Sequence, residues 1–145
     1  MGSRRAGRAA ALKILYQLDT VDDFSRAEAG VRDFFEHLDP EAEQDVRDFA
    51  GELCLGVRDR LRELDRAIEA ASQNWRLARM SRIDRNILRI AAYEIMACPE
   101  VPAEVAIDEA IELGKAFGST ESAGFVNGVL DRLRRDHRAQ GGQSK

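Results

Sequence analysis

Apolar residues recur every three or four positions along nearly the whole chain, which is the spacing of one face of an α-helix. The recurrence starts within residues 11–18 and is longest over residues 46–68. No segment alternates apolar and polar residues with the period of a strand, and Asn127-Gly128 lies inside a helical pattern. The pattern therefore predicts an all-α protein with about six to seven helices.

Capping residues predict where three of the helices begin. Ser25 and Glu28 have the spacing of a capping box at the start of a second helix. Asp39 before Pro40 predicts an N-cap and a first helical residue for the third helix. Ser81 predicts the N-cap of a fourth helix, which we expect to be the most buried one because apolar residues surround most of its circumference.

Glycines and one polar segment predict interruptions of the helical pattern. Gly56 weakens the long third helix and predicts a kink or a split there, and Gly118 predicts a left-handed cap at the end of the fifth helix. The polar segment 72–80 is expected to connect two halves. The expected organisation is one helical domain over residues 1–138, followed by a disordered tail at residues 139–145. Within the domain, the N-terminal half covers about residues 1–72 and the C-terminal half about residues 73–138.

The composition is typical of a globular domain. Apolar residues make up 44% and charged residues 33% of the 145 residues. The longest nearly apolar run, residues 90–98, contains Glu94 and falls short of the roughly 20 residues that a membrane span needs. The N-terminus has no apolar segment of the kind that a secretory signal contains. We therefore expect a cytoplasmic protein that does not contact a membrane.

The residue types that commonly carry catalysis or hold metals are not grouped in the sequence. His37 and His137 are not spaced with cysteine or acidic ligands as a metal site requires, and no nucleophile or phosphate-binding motif is present. Cys54 and Cys98 lack the Cys-x-x-Cys spacing and are expected to be buried and reduced. The sequence thus predicts no catalytic residue, no metal site and no cofactor, and the protein should not be an enzyme.

Charge is distributed unevenly, although the net charge is only −4. Basic residues dominate residues 1–18, 72–93 and 125–145, and acidic residues dominate the segments between them. If the fold brings the three basic blocks together, they form one patch, and the acidic remainder confines an anionic ligand to it.

Arginines of the first block are candidates for nucleic-acid contact. Arg4 and Arg8 share one helical face and Arg5 lies beside them, which would present a compact cluster to phosphates or guanine edges. The alternative is a frayed, solvated terminus. Trp75 follows a long apolar stripe, which favours a packing role over base stacking. The second block contains arginines that could bind RNA or pair with acidic neighbours, namely Arg76, Arg79, Arg82, Arg85 and Arg89.

Three segments carry a resemblance to a known family. They read VPAEVAIDEAIELGKAFGSTESAGFVNGVLDRL at residues 101–133, WRLARMSRIDRNILRIAAYEI at residues 75–95 and RRAGRAAALKILYQLD at residues 4–19. In this order they resemble the NusB family of transcription antitermination factors, whose members carry a similar FVNGVLD segment. The resemblance covers nearly the whole chain.

This resemblance implies a fold, a ligand and partners. NusB proteins have two packed helical bundle halves and bind single-stranded RNA at the boxA element of ribosomal RNA leaders. They pair with the ribosomal protein NusE, which links the RNA indirectly to the RNA polymerase elongation complex. On this chain the implied RNA-binding residues are Arg4, Arg5, Arg8, Arg89, Phe125 and Asn127. The implied NusE-binding residues are Tyr16 and Asp84.

Several of these residues have a second interpretation. Phe125 can stack on an unpaired base or serve as a core aromatic, and Asn127 can read a base edge or bond within its own helix. Gly7 is expected to interrupt the arginine segment, and Gly124 stands where relatives often have a longer side chain. These two departures predict a modest RNA affinity.

Other functions are also compatible with an all-α chain. It could be a helical protein-protein adaptor without RNA binding, or the RNA-binding domain of an RNA methyltransferase. The sequence given ends at Lys145 without a cofactor-binding domain, which disfavours the methyltransferase. A helix-turn-helix protein is disfavoured because no short basic helix follows a tight turn. A homodimer is an alternative state of the free protein.

Overall fold

The computed structural model describes residues 2–73 and 75–143, and over these residues it contains seven α-helices and no β-strand. The helices are α1 Gly2–Thr20, α2 Ala27–His37, α3 Gln44–Asp59, α4 Leu61–Ala71, α5 Arg82–Ala97, α6 Ala103–Phe117 and α7 Ser122–Gln143. Two short 3-10 turns, Phe24–Arg26 and Leu77–Arg79, precede α2 and α5. The predicted all-α class is confirmed.

The chain divides into two compact units, Met1–Arg60 with α1 to α3 and Leu61–Lys145 with α4 to α7. The sequence pattern placed the division near residue 72, because the apolar stripe of α3 continues into α4. The helix is in fact interrupted at Arg60, whose backbone N–H donates to the carbonyl oxygens of Gly56 (3.2 Å) and Val57 (3.3 Å). The interruption predicted at Gly56 is therefore present, one helical turn later.

The core of the N-terminal unit is built from the apolar faces of its three helices. α1 packs against α2 and α3, and α2 also packs against α3. Leu12 and Leu15 of α1 and Leu53 and Val57 of α3 are almost completely buried. Each such side chain contributes roughly 1.5–3 kcal/mol when its apolar surface leaves water. The stripe predicted over residues 11–18 is the face that holds α1 in the unit.

In the C-terminal unit, α5 occupies the centre. It packs against α4, α6 and α7, and Ile87, Leu88 and Ile90 are each at most 1% exposed. The prediction that the fourth helical pattern forms the most buried helix is thus confirmed for this unit. The polar segment 72–80 connects α4 to α5 inside the unit.

One of the three predicted helix starts is confirmed and one is replaced by a neighbouring cap. Ser81 Oγ accepts a hydrogen bond from the backbone N–H of Asp84 (3.0 Å) at the start of α5, as expected. The capping box of Ser25 and Glu28 is wrong. Asp23 is the cap instead, because its carboxylate accepts from the backbone N–H of Ser25 (3.1 Å) and opens a 3-10 turn ahead of α2.

The third predicted start is also wrong, because α3 begins at Gln44 and not at Asp39-Pro40. The guanidinium of Arg47 holds the preceding segment as a turn. It donates to the backbone carbonyls of Pro40 (2.6 Å) and Ala42 (3.0 Å). A side chain from further along the chain thus satisfies these carbonyl groups, which a local capping pattern does not reveal.

Helix α7 continues to Gln143, whereas a disordered tail was expected from residue 139. The helix contains no proline, and pairs at helical spacing such as Arg132–Asp136 support it. Ser144 and Lys145, the end of the expected tail, lie outside the described residues. None of the described helices combines the length and hydropathy that crossing a membrane would require.

Candidate nucleic-acid interface

Two arginines of α1 lie over the aromatic ring of Phe49 in α3. The guanidinium carbon Cζ is 4.2 Å from the ring centroid in Arg4 and 5.3 Å in Arg8. Because α1 begins at Gly2, both residues belong to the helix and not to a frayed end. Cation-π contacts contribute about 0.5–1 kcal/mol at exposed sites and about 2 kcal/mol when desolvated. The structure therefore brings these two candidate residues together on one ring.

Gly7 allows Phe49 to approach α1 closely. A Cβ atom at position 7 would lie 2.7 Å from Cδ2 of Phe49, a distance that real Cβ atoms essentially never show. The expectation that Gly7 interrupts the arginine segment is wrong, since Gly7 lies inside α1. Its missing side chain makes room for the ring that supports Arg4 and Arg8.

The N-terminal arginines differ in exposure. Arg4 and Arg5 are exposed, whereas Arg8 is only 5% exposed. Arg4 and Arg5 lie in the first turn of α1, which contains no acidic residue, and are therefore at the positive end of the helix dipole. That placement costs about 0.3–1 kcal/mol for each exposed charge. The cluster thus opposes the stability of its own helix, while its position favours the binding of an anion.

Arg89 of α5 has a different environment. Its Nε and Nη2 donate to the two carboxylate oxygens of Asp65 in α4, at 2.9 and 3.0 Å, and its Nη1 donates to Oδ1 of Asn86 at 3.1 Å. The residue is 6% exposed. A fork-shaped pair of this kind neutralises the cation and fixes its direction. Phosphate binding by Arg89 stays a prediction, and it would compete with these hydrogen bonds.

The other arginines of the second basic block divide into exposed and engaged side chains. Arg76, Arg79 and Arg82 are exposed. Arg85 donates from Nη1 to the backbone carbonyl of Leu77 (3.3 Å). The block therefore combines three exposed cations with two arginines, Arg85 and Arg89, that bond to groups of their own unit.

Ion pairs within α7 neutralise much of the third basic block. Arg134 and Arg135 approach the carboxylate of Asp131 to 2.7 and 3.3 Å, and Arg132 pairs with Asp136 at 3.1 Å. Such exposed pairs add little stability. They do reduce the net positive charge that this block offers to an anion.

Trp75 and Phe125 form an aromatic pair in the C-terminal unit. Their ring centroids lie 6.3 Å apart with an interplanar angle of 66°. Trp75 is 52% exposed, so neighbouring residues cover only about half of its surface. Phe125 is partly exposed, and Asn127, two residues further along α7, is exposed. The packing role favoured for Trp75 from its sequence position thus accounts for only part of its surface. Its place in the polar segment 72–80 was the feature of the sequence that indicated exposure.

The two residues expected to bind the protein partner are in unlike situations. Tyr16 on α1 is 39% exposed. The Asp84 carboxylate accepts a hydrogen bond from Ser122 Oγ (2.6 Å), and Ser122 is 1% exposed. The same Oγ accepts from the backbone N–H of Ser119 (2.9 Å). Asp84 therefore ties the first turn of α5 to the start of α7.

Gly118 is needed at this place for space and not for a left-handed backbone. Its φ of −95° and ψ of −166° are extended, so the predicted left-handed cap is wrong. A Cβ atom there would lie 2.6 Å from Cβ of Ser122 and would collide with its hydroxyl oxygen. The glycine allows the loop after α6 to pass directly over the Ser122–Asp84 hydrogen bond.

The described part of the chain contains further chemically capable groups, two cysteines and one group of exposed residues on α2. Cys54 is buried, and desolvation raises the pKa of its thiol, so it stays protonated and inert. Cys54 and Cys98 are both free, and Cys98 is partly exposed. Asp33, Glu36 and His37 on α2 offer ligand atoms within 4.8 Å of one another, a helical spacing that the sequence analysis did not single out. All three side chains are exposed, and exposed acidic groups of this kind are common without a metal.

The candidate RNA-binding residues thus form two separate sets. One set, Arg4, Arg5 and Arg8, belongs to the N-terminal unit, and the other, Arg89, Phe125 and Asn127, belongs to the C-terminal unit. A single surface formed by both sets stays a prediction. Together the two sets give an all-helical protein with exposed arginines and partly exposed aromatic rings, the residue types that commonly contact nucleic acids.

The chain belongs to the NusB family, whose family model matches residues 5–135. It is 48% identical over 135 residues to the transcription antitermination protein NusB of Sorangium cellulosum, covering 92% of each chain. It is 46% identical over 137 residues to the protein of the same name from Myxococcus xanthus, covering 92% of this chain and 95% of the relative. Proteins of this family are transcription antitermination factors and not enzymes.

Solved structures agree with this assignment. The NusB structure from T. maritima has a TM-score of 0.79 and 35% sequence identity, over 98% of this chain and 97% of that one. A crystal structure of antitermination factors NusB and NusE in complex with dsRNA has a TM-score of 0.82 over 94% of this chain and 98% of that one. At 22% identity the second likeness shows the fold alone.

Proposed function

We propose that this protein binds boxA-type single-stranded RNA together with the ribosomal protein NusE and so supports antitermination during ribosomal RNA transcription in the cytoplasm. Membership of the NusB family supports the antitermination role. The complex of NusB and NusE with dsRNA supports RNA and NusE as the partners. Contact with the RNA polymerase elongation complex would be indirect, through NusE.

The main observation in favour of single-stranded over double-stranded RNA is the pair of the exposed Trp75 and the partly exposed Phe125. In a duplex the base faces are stacked on one another, whereas an unpaired base can lie against an aromatic side chain. Such stacking is worth about 1–3 kcal/mol per base. The exposed amide of Asn127 would read a base edge beside the pair.

Arginines of the N-terminal unit supply the proposed phosphate contacts. Arg4 and Arg5 are exposed and would contact phosphates directly, whereas Arg8 is only 5% exposed and would act through its charge. If about three to five phosphates are neutralised, the logarithm of the affinity for a single strand falls with the logarithm of salt concentration with a slope of roughly −2 to −3.5.

A fluorescence titration tests this proposal directly, because Trp75 is the only tryptophan in the chain. We expect a boxA-type single-stranded RNA to quench Trp75 with the salt slope given above, and to bind more tightly than its duplex form. Adding NusE should increase the affinity. Equal binding of the duplex would contradict stacking as the basis of recognition, and no RNA binding with or without NusE would leave a protein-protein adaptor as the function.

Tyr16 and Asp84 are proposed to contact NusE. Tyr16 presents an exposed ring, whereas Asp84 would have to share its carboxylate with Ser122. Tyr16 is therefore the more informative residue to change. A homodimer of the free protein is a competing state, and sedimentation with and without RNA would detect it.

A further inference from the structure

Phe49 lies beneath the arginine cluster of α1 and belongs to a different helix, α3. We propose that Phe49 is a positioning residue for RNA, which holds Arg4 and Arg8 in a fixed arrangement before the RNA arrives. This inference rests on the proposed RNA binding. It assigns to Phe49 an effect on affinity that passes through the two arginines and needs no contact between the ring and the RNA.

The first step of the argument is that the cluster needs support. Arg4 and Arg8 are four positions apart on one helical face, where like charges repel. Arg4 also lies in the first turn of α1, at the positive end of the helix dipole, and that turn contains no acidic residue. An isolated helix with this sequence would lose order at its first turns.

The second step is that the ring supplies this support without neutralising the charge. The Cζ atoms of Arg4 and Arg8 lie 4.2 and 5.3 Å from the Phe49 centroid. The face of an aromatic ring attracts a cation through its quadrupole. A guanidinium that lies over a ring keeps its N–H donors in its own plane, where those of the exposed Arg4 can bind a phosphate, while the buried Arg8 contributes to the arrangement of the cluster.

The third step is that the contact is built into the backbone. Gly7 lies between the two arginines in the sequence, and only a residue without Cβ leaves room for the ring. Gly2 of the same helix, by contrast, has nothing within 4 Å of its Cβ position. A glycine at position 7 lowers the helix propensity of α1, and the close approach of Phe49 explains why a glycine is nevertheless needed there.

The principal experiment compares Phe49→Leu with the unchanged chain in binding a labelled boxA-type single-stranded RNA at about 0.1 M salt. Leu keeps an apolar side chain but removes the ring face. We expect the affinity to fall about three- to tenfold, the loss of one or two cation-π contacts. Phe49→Tyr retains the ring face and should stay within about twofold.

Phe35→Leu is the matched control. Phe35 is buried in the same unit, and its ring lies beneath another arginine, with Arg47 Cζ 5.6 Å from the centroid. This substitution removes a similar volume and a similar contact but leaves the α1 cluster intact. We expect the affinity to change less than about twofold. An equal loss in both variants would show general destabilisation and would overturn the proposal.

A second readout does not depend on RNA. In the free protein, the Nε–Hε signals of Arg4 and Arg8 should carry ring-current shifts that disappear in Phe49→Leu and persist in Phe35→Leu. Amide hydrogen exchange in the first turns of α1 should become faster in Phe49→Leu alone. Unchanged signals and unchanged exchange in Phe49→Leu would overturn the positioning role even if RNA binding weakened.

Gly7→Ala gives an independent test if Phe49→Leu does not fold. Alanine favours helix formation over glycine, yet its Cβ would displace the Phe49 ring. We expect weaker RNA binding despite the higher helix propensity, and no loss for Gly2→Ala, which raises propensity in open space. Tighter RNA binding by Gly7→Ala would contradict the inference.

The two proposals fail in different ways. If the unchanged chain does not bind RNA, the proposed function is wrong and the positioning of the arginines has no ligand to act on. If the unchanged chain binds RNA and Phe49→Leu binds equally well, the proposed function stands and the positioning role is wrong.

Discussion

Arg4 in the N-terminal unit and Arg89 in the C-terminal unit are both held by a residue of another helix, but the chemical nature of that partner differs. The partner of Arg4 is an aromatic ring, and the arginine is exposed. The partner of Arg89 is a carboxylate that accepts two hydrogen bonds, and the arginine is buried. A ring orders the cation and leaves its charge available, whereas a carboxylate orders the cation and cancels its charge.

This contrast separates two uses of one residue type. Under the proposed function, the exposed arginines of α1 serve an external anion at some cost to their helix, because Arg4 and Arg5 lie at the positive end of the helix dipole. Arg89 contributes to the assembly of α4 and α5 in its own unit. Basic residues in a sequence can therefore be counted as ligand-binding charge only after their partners are known.

The largest effect is expected when the carboxylate-held arginine is removed. Arg89→Ala removes the two hydrogen bonds to Asp65 and the one to Asn86 Oδ1, and we expect the free energy of unfolding in urea to fall by about 3 kcal/mol. Arg82→Ala, at an exposed position, should change it by less than about 0.5 kcal/mol. A stable Arg89→Ala protein with reduced RNA affinity would instead show that Arg89 contacts RNA, as the resemblance implied.

The ring-held cluster should show the reverse behaviour. Removing Arg4, Arg5 and Arg8 together by substitution with Ala should flatten the salt slope of RNA binding by about 2, because each phosphate contact contributes about 0.7. Removing only Arg4 and Arg5 should change stability by no more than about 1 kcal/mol, since relief of the dipole conflict offsets the lost cation-π contact of Arg4. A slope equal to that of the unchanged chain would exclude these arginines from the RNA site.

Phe125→Ala tests the uncharged part of the proposed surface. We expect RNA binding to weaken by about 1–3 kcal/mol while the salt slope stays the same, because the substitution removes stacking and no charge. Phe117→Ala, a change at another partly exposed phenylalanine of the same unit, is the control. If Phe125→Ala lowers the melting temperature sharply and leaves RNA binding unchanged, Phe125 is a core residue.

The smallest expected effect comes from an acid added beside the cluster. Ser3→Glu places a carboxylate in the first turn of α1, where it should stabilise the helix by about 0.3–1 kcal/mol. The same charge should repel phosphates and weaken RNA binding. Thermal unfolding and RNA titration would be measured beside Ser3→Gln. If stability and RNA affinity both increased, the idea that these arginines bind RNA at the expense of helix stability would be contradicted.

Local chemistry could be predicted from the sequence wherever neighbouring residues decide it. The Ser81 cap of α5 and the apolar face at residues 11–18 depend on residues one to four positions apart, and both were predicted. Asp39-Pro40 failed because Arg47, further along the chain, holds that segment as a turn. Gly7 was misread for the same reason, since its partner Phe49 lies in another helix.

For the candidate site, the sequence predicted which arginines share a helical face but not the contacts that hold them. The spacing of Arg4 and Arg8 placed them on one face, which is correct. The bond between Arg89 and Asp65 joins residues 24 positions apart and has no local signature. The exposure of Trp75 depends on how much of its surface neighbouring residues cover, which a linear pattern does not record.

The close passage of Gly118 over Ser122 also constrains how this sequence can change over time. A larger side chain at position 118 is tolerated only if position 122 becomes smaller, and losing the Ser122 hydroxyl leaves the Asp84 carboxylate without that donor. Substitutions at positions 84, 118 and 122 should therefore occur as correlated sets among descendants of this protein, although most of α5 and all of α6 separate Asp84 from Ser122.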